Sequence, residues 1–195
     1  MDDKIIHADR WASAVATFQS GDRAGALILF KTFAQEGSLF ALTEIGNIYE
    51  LGGGGVTQDF KQAKHWYERA IAEGNDSDAY VALARLYYLG RGVSRDSTKA
   101  YELYSAIEKE LRPGVLYILG YMHEHGEGVT KDINKAIDYY SVSGKLGHAL
   151  SKKDFARLKI RRGEFMTGIL YWIKAIFLII WIGTKNIDDP RLKIS

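Results

Sequence analysis

His123-Glu124-His125 is the one run in this chain where ligand-type side chains crowd together. Two imidazoles and a carboxylate are donors of the kind that hold a divalent transition metal. Their spacing argues against that use. On a helix each residue turns about 100°, so His123 and His125 diverge by about 200°. No second cluster supplies the missing donors, so no metal is expected and the pair reads as packed or turn-facing. His7, His65 and His148 stand alone and read as surface or packing residues. The run Gly52 to Gly55 suggests a phosphate loop but lacks the Gly-Lys-Ser/Thr ending that would grip phosphate and magnesium. The chain has no cysteine, which removes disulfides and thiolate chemistry. No Ser/His/Asp set, pair of carboxylates or nucleophile elbow stands out from ordinary surface composition. The expectation is a non-enzymatic protein with no cofactor and no small-molecule substrate.

The elements that would position any site are helical. The 195 residues include only two prolines and many Ala, Leu and Tyr, and fit one domain plus an appendage. The net charge of +2 is small. Basic residues cluster only just before a C-terminal apolar stretch, a pattern that suits a membrane surface better than nucleic acid. The first residues, MDDKIIHADRWASAV, start acidic and lack the apolar core of a secretory signal.

Self-comparison gives the strongest signal. Gly55-Val56, Gly92-Val93 and Gly128-Val129 recur at intervals of 37 and 36 residues. Each is followed by an acid (Asp59, Asp96, Asp132), then an alanine (Ala63, Ala100, Ala136), then a tyrosine (Tyr67, Tyr104, Tyr140). Matched columns at one period mark a repeat array. Within a unit, Ala41, Ile45, Gly46 and Tyr49 lie at helical spacing, as do Ala63, Tyr67, Ala70 and Ile71. Small residues at Ala41 and Gly46 let the paired helices approach closely. The acid before each second helix sits where it can cap bare amides at the positive end of the helix dipole.

These columns resemble the SEL-like repeat (SLR) family, a relative of the tetratricopeptide repeat. IGNIYELGGGGV, Asp59 and AKHWYERAIAEG follow its pattern with one extra glycine; LARLYYLGRGVSRDSTKAYELY follows it with Leu111 in place of the closing glycine; LGYMHEHGEGVTKDINKAIDYY follows it with His123 for a first-helix tyrosine. The resemblance implies an all-α fold, a right-handed α-α superhelix of helix pairs with a concave face. Three repeats are expected at 38–74, 75–111 and 112–147, after a degenerate helix pair at 1–37 and before a capping helix and basic segment at 148–162. In the register of Gly163-Glu164, Gly168 and Trp172 take the alanine and aromatic places of a last second helix.

The resemblance also implies protein–protein scaffolding through first-helix positions on the concave face. Transferred by the Leu/Ile-Gly anchor, these are Phe40, Thr43, Asn47 and Glu50; then Asp78, Val81, Arg85 and Tyr88; then Gly114, Tyr117, Tyr121 and Glu124. Aromatic side chains among a few charges suit peptide recognition.

The apolar stretch at 165–183, FMTGILYWIKAIFLIIWIG, decides where such a scaffold works. Its 18 residues from Phe165 to Ile182 hold one charge, Lys174. As a helix they reach roughly 27 Å, just enough for a bilayer core of about 30 Å. Lys152, Lys153, Arg157, Lys159, Arg161 and Arg162 precede the stretch, and a short polar tail, 184–195, follows it. This bias predicts a single-pass inner-membrane protein with its repeats in the cytoplasm; the resemblance and small size imply a bacterial source. Tyr171, Trp172, Lys174 and Trp181 would then meet lipid or an intramembrane partner, with Lys174 pairing an acid on a membrane complex. The alternatives are a self-associating scaffold with the stretch buried between subunits, or a weak hydrolase like some cysteine-rich SLR proteins, from which this chain departs by having no cysteine.

Overall fold

The computed structural model describes residues 2–74 and 76–185, and the side chains among them except at 2–7, 167 and 182–185. The tail beyond 185 and the side chain of His7 lie outside the described residues. Every regular element described is helical, and the chain divides into two compact units, Met1–Asp96 and Ser97–Ser195. The division falls inside the middle repeat.

The first unit holds α1 (Asp2–Gln19), α2 (Arg23–Gln35), α3 (Leu39–Leu51), α4 (Phe60–Gly74) and α5 (Ser77–Leu89). Successive helices pack on one another, so α4 lies against both α3 and α5. The core is built from Ala14, Ala26, Phe30, Phe33, Ala41, Ile45 and Ile48. Trp11 meets Phe30 and Phe33 edge-on, each with ring centroids 5.2 Å apart. α1 and α2 pack together ahead of the first matched repeat.

The second unit holds α6 (Ser97–Ala106), a 3-10 turn at Glu108–Glu110, α7 (Pro113–His125), α8 (Ile133–Lys145), α9 (Ala149–Arg161) and α10 (Phe165–Lys185). Tyr117, Ala136, Ile137, Tyr140, Phe155 and Leu158 form its core.

The repeat columns are the core columns. Ala63, Tyr67, Ala100, Tyr104, Ala136 and Tyr140 are each 2% exposed or less. The ring of Tyr67 lies over Gly46, and that of Tyr140 over Gly120. Asp59 and Asp132 of the acid column cap as expected. Asp59 Oδ1 accepts from the amides of Lys61 and Gln62 at 2.9 and 3.0 Å, and Asp132 Oδ1 from those of Asn134 and Lys135 at 2.9 and 3.1 Å.

Leu111 stands where the repeat closes with glycine, and its backbone holds φ 53. Its side chain is half exposed, so little packing offsets the cost. A left-handed residue with a Cβ costs about 1–2 kcal/mol, and glycine's extra unfolded-state freedom returns about 0.5–1 kcal/mol of that. Leu111→Gly should therefore stabilise the chain by about 0.5–1 kcal/mol in urea unfolding. A loss of stability would show that leucine contacts outweigh the strained backbone.

The apolar stretch corrects the membrane expectation. Among the described residues no helix is long and apolar enough to cross a membrane. α10 packs along α9 as the second helix of a last pair. A Cβ on Gly168 would lie 2.4 Å from Ile160 Cγ1, so the bare glycine is what lets the two helices touch. Ala175, two turns on, is wholly buried, and Tyr171 between them meets the Phe155 ring edge-on at 4.8 Å. The packing aromatic is thus Tyr171, and Trp172, expected in that place, is about half exposed. Lys174 lies exposed at the edge of the packed face, its Nζ 5.9 Å from the Tyr171 ring centroid. The small residues and the tyrosine of the stretch thus serve helix pairing.

Candidate protein-binding site

The first-helix positions divide into those that tie helices together and those that face outward. In the first unit Thr43 is buried and its Oγ1 donates to Asp76 Oδ2 at 2.7 Å. Glu50 is buried as well. Both of its carboxylate oxygens accept from Arg85 Nη2 at 2.9 Å, and the Tyr67 hydroxyl lies 2.8 Å from Oε2. Asn47 Oδ1 is 2.9 Å from that same hydroxyl. Glu50, Arg85 and Asn47 therefore join α3, α4 and α5. Burial raises the Tyr67 phenol well above its usual range, and the Glu50 carboxylate adds to the effect. Glu44 beside them is also pushed up, by burial and then by Asp78 and Asp76, while a hydrogen bond from Asn47 opposes the shift.

The second unit repeats the device. Arg157 Nη1 and Nη2 reach Glu124 Oε1 and Oε2, each at 2.7 Å, in a two-pronged pair. The Tyr140 hydroxyl donates to Glu124 Oε2 at 3.0 Å. Arg157 Nε donates to Asp154 Oδ1 at 3.2 Å, and the Tyr117 hydroxyl to Asp154 Oδ2 at 3.3 Å. Burial works against the Glu124 charge, but the bonds from Arg157 and Tyr140 outweigh it and hold the carboxyl below its ordinary range. The bond to Glu124 also raises the Arg157 guanidinium.

Thr43, Glu50, Tyr117 and Glu124 are therefore corrections to the expected binding face. They are buried because the next helix covers them. Arg157, counted from the sequence among the basic residues flanking a membrane, belongs to this clamp, and Lys159 is likewise paired, with Glu164 at 2.7 Å. Sequence reasoning missed Asp76, Tyr140, Asp154 and Arg157 as partners. Glu50 and Glu124 share one repeat column, and Arg85 and Arg157 share another in the following first helix. That acid-to-arginine match was the available signal.

Phe40 is 71% exposed. It borders a cleft of about 570 Å³ with Trp11, Phe33, Glu36 and Ser38. Glu36 accepts from Arg10 Nη2 at 2.8 Å on its rim. Asp78 is exposed, and Val81 and Tyr88 are half-buried. The Arg95 guanidinium lies 5.6 Å from the Tyr88 ring centroid. In the second unit Gly114 and Tyr121 are half-buried, and Tyr121 stacks on His125 at 4.0 Å.

The histidines have separate surroundings. His123 is buried, its Nε2 3.2 Å from the Tyr101 hydroxyl, and burial lowers its pKa. His125 faces solvent against Tyr121. Among the described residues no group of three or more His, Cys, Asp or Glu is placed to hold a metal. His148 lies beside Ser151, but that serine is fully buried and its hydroxyl donates to Ser143 Oγ at 2.6 Å, which in turn donates to the Pro113 carbonyl at 2.7 Å. The chain of hydroxyls ties α7, α8 and α9. In the glycine loop the Gly54 carbonyl accepts from the Ala24 amide at 2.9 Å, and the Arg23 guanidinium donates to the Gly52 carbonyl. The loop is a docking point for the start of α2.

A Sel1-repeat family model matches residues 39–75, 77–106 and 114–148. The chain is 32% identical over 129 residues to an ERAD-associated E3 ubiquitin-protein ligase component, HRD3A, of Arabidopsis thaliana; the match covers 60% of this chain and 19% of that protein. It thus spans about a fifth of that relative's length. A Sel1 repeat protein from Oxalobacter formigenes superposes with a TM-score of 0.68 at 27% identity, covering 79% of this chain and 63% of that one. A protective antigen of uropathogenic Escherichia coli with an SLR fold superposes with a TM-score of 0.72 at 22% identity, covering 80% of this chain and 34% of that one. Relatives from both a plant and bacteria mean that the repeat pattern does not by itself assign a bacterial source. With buried alanine and tyrosine columns in each repeat and the family's pattern over more than half its length, the chain belongs to the Sel1-repeat family.

Proposed function

We propose that this protein is a scaffold that holds a protein partner on the outward-facing first-helix positions of its repeats. The observation that carries the proposal is Phe40. A large apolar side chain stands mostly in solvent beside a cleft of about 570 Å³ that Trp11 and Phe33 also line. That is the kind of partly apolar hollow, with a charged rim, that takes an anchoring side chain from a partner. Sel1-repeat proteins are generally scaffolds without catalysis, and the role of HRD3A as a ligase component suggests the class of task here: a non-catalytic member of a larger assembly. Of the two readings of the apolar stretch, the self-associating one is better supported, because α10 already lies against protein along one face.

A photo-crosslinking residue at position 40 tests the partner reading in the source cell. Position 65, exposed on the outer face of α4, is the control. A discrete crosslinked protein from position 40 and little from position 65 is the expected result. Equal yields at both, or a partner captured only at position 65, would overturn the assignment of the face.

A further inference from the structure

We infer that α10 pairs with α10 of a second copy of this chain, along a seam made by Met166, Leu170, Ile173, Phe177 and Ile180. The inference rests on the self-associating reading above and names the contact. These five residues follow one another at intervals of 4, 3, 4 and 3, and lie opposite the Gly168, Tyr171 and Ala175 face that rests on α9. An apolar row at that spacing is the seam by which one helix docks on another. Contact with lipid demands no such period. The seam is open: Met166 is 85% exposed and Phe177 71%.

The packing of the earlier repeats gives the same answer. α4 lies between α3 and α5, and α8 between α7 and α9. α10 occupies the corresponding place after α9, and among the described residues its far face is exposed where α4 and α8 carry a third helix. A helix apolar around its whole circumference is normally buried.

Area selects the occupant. The seam residues are 43% to 85% exposed, and Phe165, Ile169 and Trp172, roughly half exposed or more, extend the open apolar surface around the helix. A standard interface covers about 800 Å² per partner, whereas the largest apolar patch on a monomer is about 300–600 Å². A cover for so much apolar surface has to be present whenever the protein is, and a second copy meets that condition. The five seam residues carry no charge, with Lys174 flanking them, and an uncharged row is self-complementary under two-fold symmetry.

The test uses the full chain in buffer without detergent. Sedimentation velocity should give a dimer for the parent protein. Leu170→Glu/Phe177→Glu changes two exposed residues, so the helical circular dichroism should persist while the dimer weakens by about a hundredfold or more. The chain has no native cysteine, so single-site oxidation is clean. Ile173→Cys should crosslink to itself if the helices run parallel, and Ile173→Cys/Phe177→Cys if they run antiparallel, with Lys153→Cys on α9 as the silent control. A monomer in the parent protein, a dimer untouched by the double glutamate change, or crosslinking as strong at position 153 would overturn the pairing. So would a parent protein that floats with phosphatidylcholine vesicles and stays monomeric, since lipid would then be the cover. None of these outcomes bears on the crosslink at position 40, so the two readings fail separately.

Discussion

Gly46→Val should destabilise the first unit by roughly 3 kcal/mol, the upper range for forcing atoms into a packed core. The Cβ alone would lie 2.4 Å from Tyr67 Cε1 and 2.7 Å from Cδ1. A flexible neighbour would give way, but Tyr67 has nowhere to go. Its ring is fully buried, and its hydroxyl is held by Glu50 and Asn47. Moving the ring would break the bond to a buried carboxylate. Ala84 occupies the same repeat position in α5, so one methyl is acceptable to the fold there; Ala84→Gly should cost only about 1 kcal/mol, as glycine does in a helix. Urea unfolding followed by circular dichroism measures both. A Gly46→Val cost below about 1 kcal/mol would mean that the tyrosine ring is not fixed by its hydroxyl.

Arg157→Met should cost about 2–3 kcal/mol near neutral pH. Breaking a fully buried ion pair costs about 3–5 kcal/mol and an exposed one about 0–1 kcal/mol. Here Glu124 is buried while the Arg157 side chain is 34% exposed, which places the pair between those limits. The loss comes mainly from Glu124, left charged in a buried site with only Tyr140 donating to it. Its response to acid follows from the direction of the shifts. In the parent protein the folded carboxyl is held below its unfolded value of about 4.3, so its contribution is present above that pH and fades as the pH falls through the folded value. Without Arg157, burial dominates and pushes the carboxyl upward. Protonation then favours the folded variant, so its deficit should be largest at neutral pH and shrink toward about pH 4. Glu124→Gln/Arg157→Met, which removes the stranded Glu124 charge and leaves Asp154 with the Tyr117 hydroxyl, should recover more than half of the loss. Equal deficits at both pH values would show that the lost packing of the arginine stem, and not the stranded carboxylate, is the cause.

These two variants probe what was and was not legible before the structure. The 36–37-residue period, the alanine and tyrosine columns and the capping acids determined the helix pairs. Those features depend on local spacing and on sterics that recur in every repeat. Asp59 and Asp132 cap their helices because a short carboxylate just before a helix meets bare amides wherever it stands. Gly46 is small because the tyrosine of its own repeat lies over it.

Tertiary structure decided which first-helix residues face outward. Glu50 and Glu124 read as exposed because acids usually are, yet each is covered by an arginine that arrives from the next repeat, 35 and 33 residues later. Only the stacking of neighbours brings those charges together, and without a partner neither carboxylate would remain buried. Phe40 meets no such cover and stays outside. The same holds for α10. Composition alone made its whole circumference equivalent, because Ile, Leu, Phe and Trp are alike to water. Contact with α9 broke that equivalence: the close approach at Gly168 set the helix rotation, put Tyr171 against Phe155, and left Trp172 and the Met166-to-Ile180 row facing out. The sequence by itself determined that a helix of this hydrophobicity must find cover. Which side was covered followed from the geometry of its packing against α9.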